Sequence, residues 1–164
     1  MRKLSAVLIL MLVAGSSYAA KADKIYLGGG LGFNSISGID FSDGLGFQIF
    51  GGYDLPVKMG KGKLSLEVGY MDSGDMEVAK LPAILGGATI EGKATGLWGN
   101  AVYSLPLQDK MNFIARAGLD IGDDDGLMIG AGLGFKINHK IEIRGEYVIR
   151  DTIDSLQINM VMRM

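Results

Sequence analysis

The sequence predicts an all-β protein: a closed eight-stranded antiparallel up-and-down transmembrane β-barrel behind a secretory leader. Three observations carry that expectation. Past residue 22, eight short stretches place an apolar residue at every second position, the period of strands whose two faces meet different solvents. Most of these stretches are close to the ~9–11 residues that a tilted strand needs to cross a bilayer. An export signal precedes them.

That signal occupies residues 1–22. Arg2 and Lys3 form a short basic region, Leu4 to Gly15 an apolar run, and Ser16 to Ala22 a small-residue segment, the three parts of a cleavable signal peptide. Cleavage fits after Ala19 or after Ala22. The apolar run is shorter than the ~20 residues of a spanning helix. The barrel domain is then 23–164. There is no cysteine, so neither a disulfide framework nor a lipidated cysteine holds the exported chain.

Composition narrows the classes further. Glycine is 26 of 164 residues, about twice the usual ~7%, and much of it lies inside strand-like runs, where it would weaken a water-soluble sheet. Removing Arg2, Lys3 and Lys21 from the 16 basic residues leaves 13 against 18 acidic ones. A mildly acidic mature chain does not suit a nucleic-acid partner.

The strands are expected near 24–35, 44–55, 63–72, 92–105, 111–121, 127–137, 141–150 and 155–164. The last shows the alternation best: Leu156, Ile158, Met160, Met162 and Met164 interleave with Gln157, Asn159, Val161 and Arg163. Connections after the second, fourth and sixth strands (Pro56 to Gly62, Pro106 to Lys110, Asn138 to Lys140) are short, and those after the first and third are longer. Tyr53-Asp54-Leu55-Pro56 and Tyr103-Ser104-Leu105-Pro106 recur fifty residues apart and read as one turn made twice. An even number of antiparallel strands with both termini on the short-turn side allows closure, and lipid requires it, because no water is there to satisfy an open sheet edge.

One face of these strands is apolar throughout: Leu31, Phe33, Phe47, Ile49, Leu64, Leu66, Val68, Ala115, Ala117, Ile129, Leu133, Ile141 and Ile143. Aromatics on it sort into two belts. Tyr53, Tyr103, Phe113 and Phe135 fall near the short turns, and Phe33, Phe47, Tyr70 and Tyr147 near the long loops. Aromatic rings settle at headgroup level, so two belts mean two interfaces.

The opposite parity is charged. It carries Glu67, Arg116, Lys136, Glu142, Arg144, Glu146, Arg150 and Arg163, with Gln48, Asn100, Asn112, Phe50 and Trp98 among them. Charges of both signs in a narrow tube should pair, since an isolated buried ion costs several kcal/mol, and eight strands leave an interior just wide enough for side chains to fill. The expectation is a salt-bridged, packed lumen; a gated ion path along Glu67, Arg116 and Arg144 is the alternative. Inward Gly28, Gly30, Gly32, Gly130, Gly132 and Gly134 make room for the long side chains.

Other motifs point to weaker readings. The runs Gly28–Gly32 and Gly130–Gly134 imitate dinucleotide loops but open no helix. Asp120, Asp123, Asp124 and Asp125 before Gly126 offer oxygen ligands of the kind calcium takes, although Asp-Gly is also an ordinary hairpin turn; the expectation is a solvated loop tip and no metal. His139, the single histidine, sits in the turn Asn138-His139-Lys140, at the end away from any surface chemistry. A serine lacking a nearby base is not a nucleophilic site, so no catalytic residue and no cofactor are expected.

The chain resembles the small eight-stranded outer-membrane barrels, the family of the OmpA transmembrane domain and OmpX. The likeness rests on Ile25-Tyr26-Leu27-Gly28-Gly29-Gly30-Leu31-Gly32-Phe33, on Leu66-Glu67-Val68-Gly69-Tyr70 and on Ile143-Arg144-Gly145-Glu146-Tyr147. It covers essentially the whole mature chain. It departs from members that end in an aromatic residue, here Met164, and from those with a peptidoglycan-binding domain after the last strand. The resemblance implies residence in a Gram-negative outer membrane, with outer-membrane lipid and lipopolysaccharide around the barrel and with envelope chaperones and the barrel-assembly machinery as partners during biogenesis. Function is expected to be non-enzymatic, structural or surface-interacting. Alternatives are an adhesin acting through the loop 72–91, with its apolar patch Leu81-Pro82-Ala83-Ile84-Leu85, and a small gated channel.

Overall fold

A computed structural model describes residues 24–36, 44–80 and 89–164 of the chain. The leader and the apolar patch at 81–85 lie outside the described residues. Among the described residues ten strands follow in order: β1 (Ile25–Ile36), β2 (Gly44–Met59), β3 (Gly62–Asp72), β4 (Met76–Lys80), β5 (Thr89–Gly92), β6 (Thr95–Gln108), β7 (Met111–Gly122), β8 (Gly126–Lys136), β9 (Ile141–Ile149) and β10 (Ile153–Arg163). Eight of them close into an antiparallel barrel, β1-β10-β9-β8-β7-β6-β3-β2, and β4 and β5 pair only with each other. The seam runs from Tyr26 opposite Arg163 to Ile36 opposite Ile153. No edge is left for lipid to meet.

Alternation decides which face each residue takes. The outer face is a continuous aliphatic surface, with Leu31, Ile49, Leu66, Val68, Ile129 and Leu133 about half exposed. Both aromatic belts lie on it, but on opposite arcs. The long-loop belt comes from β9, β1, β2 and β3 (Tyr147, Phe33, Phe47, Tyr70), where the rings of Phe47 and Tyr70 sit 6.4 Å apart. The short-turn belt comes from β2, β6, β7 and β8 (Tyr53, Tyr103, Phe113, Phe135), and the Tyr103 hydroxyl donates to the Met59 carbonyl at 2.9 Å.

Two strands run further than their sequence suggests. The repeated Leu-Pro segments are not turns. β2 continues to Met59 and β6 to Gln108, with the register slipping between Asp54 and Lys58 against β3 and between Pro106 and Gln108 against β7. A proline has no N–H to give the ladder, so the register slips beside it and the strand carries on. The real turns are tighter, at Gly60-Lys61 and Asp109-Lys110. Gly60 takes φ +62°, a conformation that a side chain resists.

The long connection between β3 and β6 also has more order than a loop. β4 and β5 form a hairpin ladder from Met76 opposite Gly92 to Lys80 opposite Thr89. A clasp joins it to the barrel: the Ser73 N–H donates to the Ala94 carbonyl at 2.9 Å, and the Ala94 N–H donates to Ser73 Oγ at 2.8 Å. Beneath the clasp, Met76, Ala94 and Ile153 form a small buried apolar cluster against Ile36. It lies over the long-loop mouth of the barrel.

Candidate functional site: the ionic lumen

The inward side chains of β1, β3, β7 and β9 meet in one cluster at mid-barrel. Arg116 is held by Glu146, with Nε and Nη2 at 2.8 and 2.5 Å from Oε2. Arg144 Nη1 lies 2.6 Å from Glu67 Oε1, which also accepts from the Tyr26 hydroxyl at 2.8 Å. Glu67 links the two arginines, its second oxygen being 3.5 Å from Arg116 Nη2. All four ionic side chains are at most 3% exposed.

Glu142 is attached more loosely. Its Oε1 is 3.4 Å from Arg144 Nε and 3.5 Å from Asn112 Nδ2. The cluster therefore holds three carboxylates against two guanidinium groups. Lys136, expected in this network, is not part of it. It stands opposite Glu142 in the β8–β9 ladder, yet it makes no ion pair among the described residues. It lies at the last residue of β8, where the long flexible stem lets the ammonium reach water instead.

Polar and aromatic groups complete the plug. Asn159 Nδ2 donates to Glu146 Oε1 at 3.2 Å, and Gln48 Nε2 donates to Gln157 and Asn159 at 2.8 and 2.7 Å. The Arg116 guanidinium lies 5.8 Å from the centre of the Trp98 ring, whose neighbour Phe50 is 5.6 Å away. Tyr26 faces two cations, Arg144 at 5.4 Å and Arg163 at 5.1 Å. Such contacts hold a guanidinium in a dry site without adding a charge.

Glycines supply the space. A Cβ at Gly134 would collide with Glu142, one at Gly132 with Glu146, one at Gly28 with Phe50, and one at Gly52 with the Tyr26 ring. Inward glycine on one strand matches a long side chain on its neighbour.

Each mouth has its own ion pair. At the short-turn end Arg163 Nη1 is 2.5 Å from Asp54 Oδ2, and Ser65 Oγ donates to Asp54 Oδ1 at 2.8 Å. At the long-loop end Arg150 Nε is 3.0 Å from Asp120 Oδ2, and its Nη1 donates to Ser155. Arg150 and Arg163 thus form no ion pair with the central cluster, although Arg163 meets it across the Tyr26 ring.

Several of these partners escaped the reading of the sequence. Tyr26 and Asp54 lie on the inward parity of their strands, a signal that was available. Asp120 shares the inward parity of Arg116, although its closeness to Asp123, Asp124 and Asp125 makes it look like one of the loop acids. Those acids are not a uniformly solvated tip. Asp123 Oδ2 accepts from the Thr95 N–H at 2.9 Å, Asp124 is buried and accepts from the Thr152 N–H at 2.9 Å, and Asp125 accepts from the Gly122 N–H. Among the described residues no three His, Asp or Glu side chains converge as metal ligands. His139 is exposed in the β8–β9 turn, where Asn138 Oδ1 accepts from the Lys140 and Ile141 N–H groups.

A closed eight-stranded barrel, aliphatic outside between aromatic rings and ionic within, defines an integral membrane β-barrel. Residues 5–161 match the family model described as outer membrane protein beta-barrel domain, and the chain belongs to that family. This places the barrel in an outer membrane. Among solved structures it is similar to Ail of Yersinia pestis in a phospholipid bilayer nanodisc, with TM-score 0.59 and 13% identity over 87% of this chain and 99% of that one. It is also similar to Neisserial surface protein A, with TM-score 0.50 and 12% identity over 85% and 96% of the two chains. A de novo designed transmembrane β-barrel gives TM-score 0.56 at 14% identity over 87% and 96%. At these identities the likeness is one of fold. No curated protein matches the chain.

Proposed function

We propose that this is a non-enzymatic outer-membrane scaffold, exported by its cleaved leader, whose salt-bridged lumen locks the barrel shut and holds the surface loops. The observation that carries this reading is the central cluster. Three carboxylates and two guanidinium groups from β3, β7 and β9 cross-link opposite walls, and Trp98, Phe50 and Tyr26 fill the space beside them. A buried pair costs too much to open without a replacement partner. Conductance of the purified monomer in planar bilayers tests it: no large steady channel is expected, and a stable porin-sized conductance overturns the reading in favour of the channel.

A second reading, surface binding through the 72–91 segment, is favoured by the ordered β4–β5 hairpin. Ail has been crystallised with the heparin analogue sucrose octasulfate. In this chain the long-loop end exposes Asp75, Asp123, Asp125 and Asp151, which disfavours a polyanion and favours a basic ligand. Replacing residues 76–92 by a short turn, with cell-surface binding as the readout, separates the two: a scaffold retains its basal behaviour, whereas a binding barrel loses its partner.

A further inference from the structure

We propose that the short-turn end of the barrel is a docking ring for the anionic phospholipid headgroups of the periplasmic leaflet. Small barrels of this class turn their short connections to the periplasm. At that end lie Lys24 before β1, Lys61 in the β2–β3 turn, Lys63 at the start of β3, Lys110 in the β6–β7 turn, Lys136 at the end of β8 and Lys140 in the β8–β9 turn. Lys61, Lys63, Lys110 and Lys140 are exposed. None of the six makes an ion pair among the described residues. Acidic side chains described at this rim are few: Asp54 is taken up by Arg163, and Asp109 is exposed beside Lys110.

The opposite end has the opposite sign. Among the described residues its exposed carboxylates are Asp75, Asp123, Asp125 and Asp151, and the exposed cation Lys93 is neutralised by Asp72 at 2.9 Å. Charge is therefore separated along the barrel axis although the whole chain has net charge −2.

Three features select lipid headgroups as the occupant. The lysines are spread around the circumference, at β1, β2–β3, β6–β7 and β8–β9, which suits an annulus of lipids better than one protein placed against one side. They stand just beyond the short-turn aromatic belt: Lys136 follows Phe135, and Lys63 pairs in the ladder with Ser104, next to Tyr103. Rings at headgroup level put the neighbouring ammonium groups at phosphate level. Finally, each ammonium stands on a long flexible stem, which lets it follow a mobile phosphate.

The test reconstitutes the folded protein in bilayers of phosphatidylethanolamine and phosphatidylglycerol. Electron spin resonance then compares spin-labelled phosphatidylglycerol with spin-labelled phosphatidylcholine in the motionally restricted shell. The expected preference for phosphatidylglycerol is roughly fivefold, the effect of one lysine beside an anionic headgroup, and it should largely vanish in about 1 M salt. It should fall towards unity in K61Q/K63Q/K110Q/K140Q, persist when the same four positions are arginine, and be unaffected by K93Q at the other end. Heat-modifiable gel mobility checks that each variant is folded, and the arginine variant controls for the number of substitutions. The proposal is overturned by no preference in the wild type, by a preference that survives the four glutamines or high salt, or by one that K93Q removes.

Discussion

Glu67 and Glu142 are both buried carboxylates facing Arg144, yet their replacement by glutamine should have very different consequences. Glu67 Oε1 takes a charged hydrogen bond from Arg144 at 2.6 Å and a neutral one from Tyr26 at 2.8 Å, and its other oxygen links to Arg116. Charged hydrogen bonds contribute about 1.5–3 kcal/mol each and neutral ones about 1 kcal/mol. Glu67→Gln also leaves an amide N–H₂ or a weakened carbonyl between two cations. The cost should be about 3–5 kcal/mol, the range for breaking a buried ion pair. Glu142 instead makes contacts of 3.4 and 3.5 Å and is the third carboxylate for two arginines. Glu142→Gln balances the cluster while keeping its shape, so the change should stay within about 1 kcal/mol. Equilibrium urea unfolding in lipid vesicles, followed by Trp98 fluorescence and by gel mobility, measures both. The ranking of contacts would be refuted by equal destabilisation of the two variants, or by a larger loss for Glu142→Gln.

Further outcomes follow from other parts of the molecule. Ala117→Arg, on the lipid face near the middle of β7, should cost roughly 2–4 kcal/mol in vesicle unfolding; unaltered stability would show that the assigned face of β7 is wrong. Replacing Asp123, Asp124 and Asp125 by Asn should change stability by about 1 kcal/mol or less, because the amide carbonyl still accepts the same backbone N–H groups, whereas Ala at all three should cost about 1 kcal/mol per lost bond. Neither the wild type nor the Asn variant should gain stability across a calcium titration; stabilisation of the wild type alone would make this loop a metal site. The hydrogen bond from Lys93 to Asp72, and the charge of that carboxylate, hold the Lys93 amine above the ordinary lysine range. The contact's contribution is therefore complete below the ordinary lysine pKa and is lost as pH rises through the raised one. An NMR titration of Lys93 should move down in pH in Asp72→Asn, and an unchanged titration would exclude the pair.

Strand number and facing were legible because lipid enforces a strict period of two, and a slip of one residue would turn Leu66 inward and Glu67 outward. Parity says nothing of height or partner. Glu67 and Arg144 are 77 residues apart, and their meeting depends on the barrel's stagger, which no local pattern encodes. Lys136 illustrates the gap: its parity is that of the lumen, but its height puts it at the rim. The prolines misled for a different reason, since a missing N–H ends a regular ladder and is equally well accommodated by a bulge. β4 and β5 are only five and four residues long, too short for a period of two to stand out from the sequence around them.

The Ser73–Ala94 clasp has a consequence for how the molecule can change. Barrel pairing of β3 and β6 ends at Asp72 opposite Thr95, and the hairpin beyond pairs only with itself. The number of residues between the two halves of the clasp therefore does not enter the shear of the barrel, its strand tilt or the heights at which the lumen charges meet. Doubling that segment would add only about 0.6 kcal/mol of closure entropy. The outer surface can be lengthened, shortened or exchanged while the membrane-embedded part keeps its geometry, so selection on what the cell displays can proceed apart from selection on what the bilayer will accept.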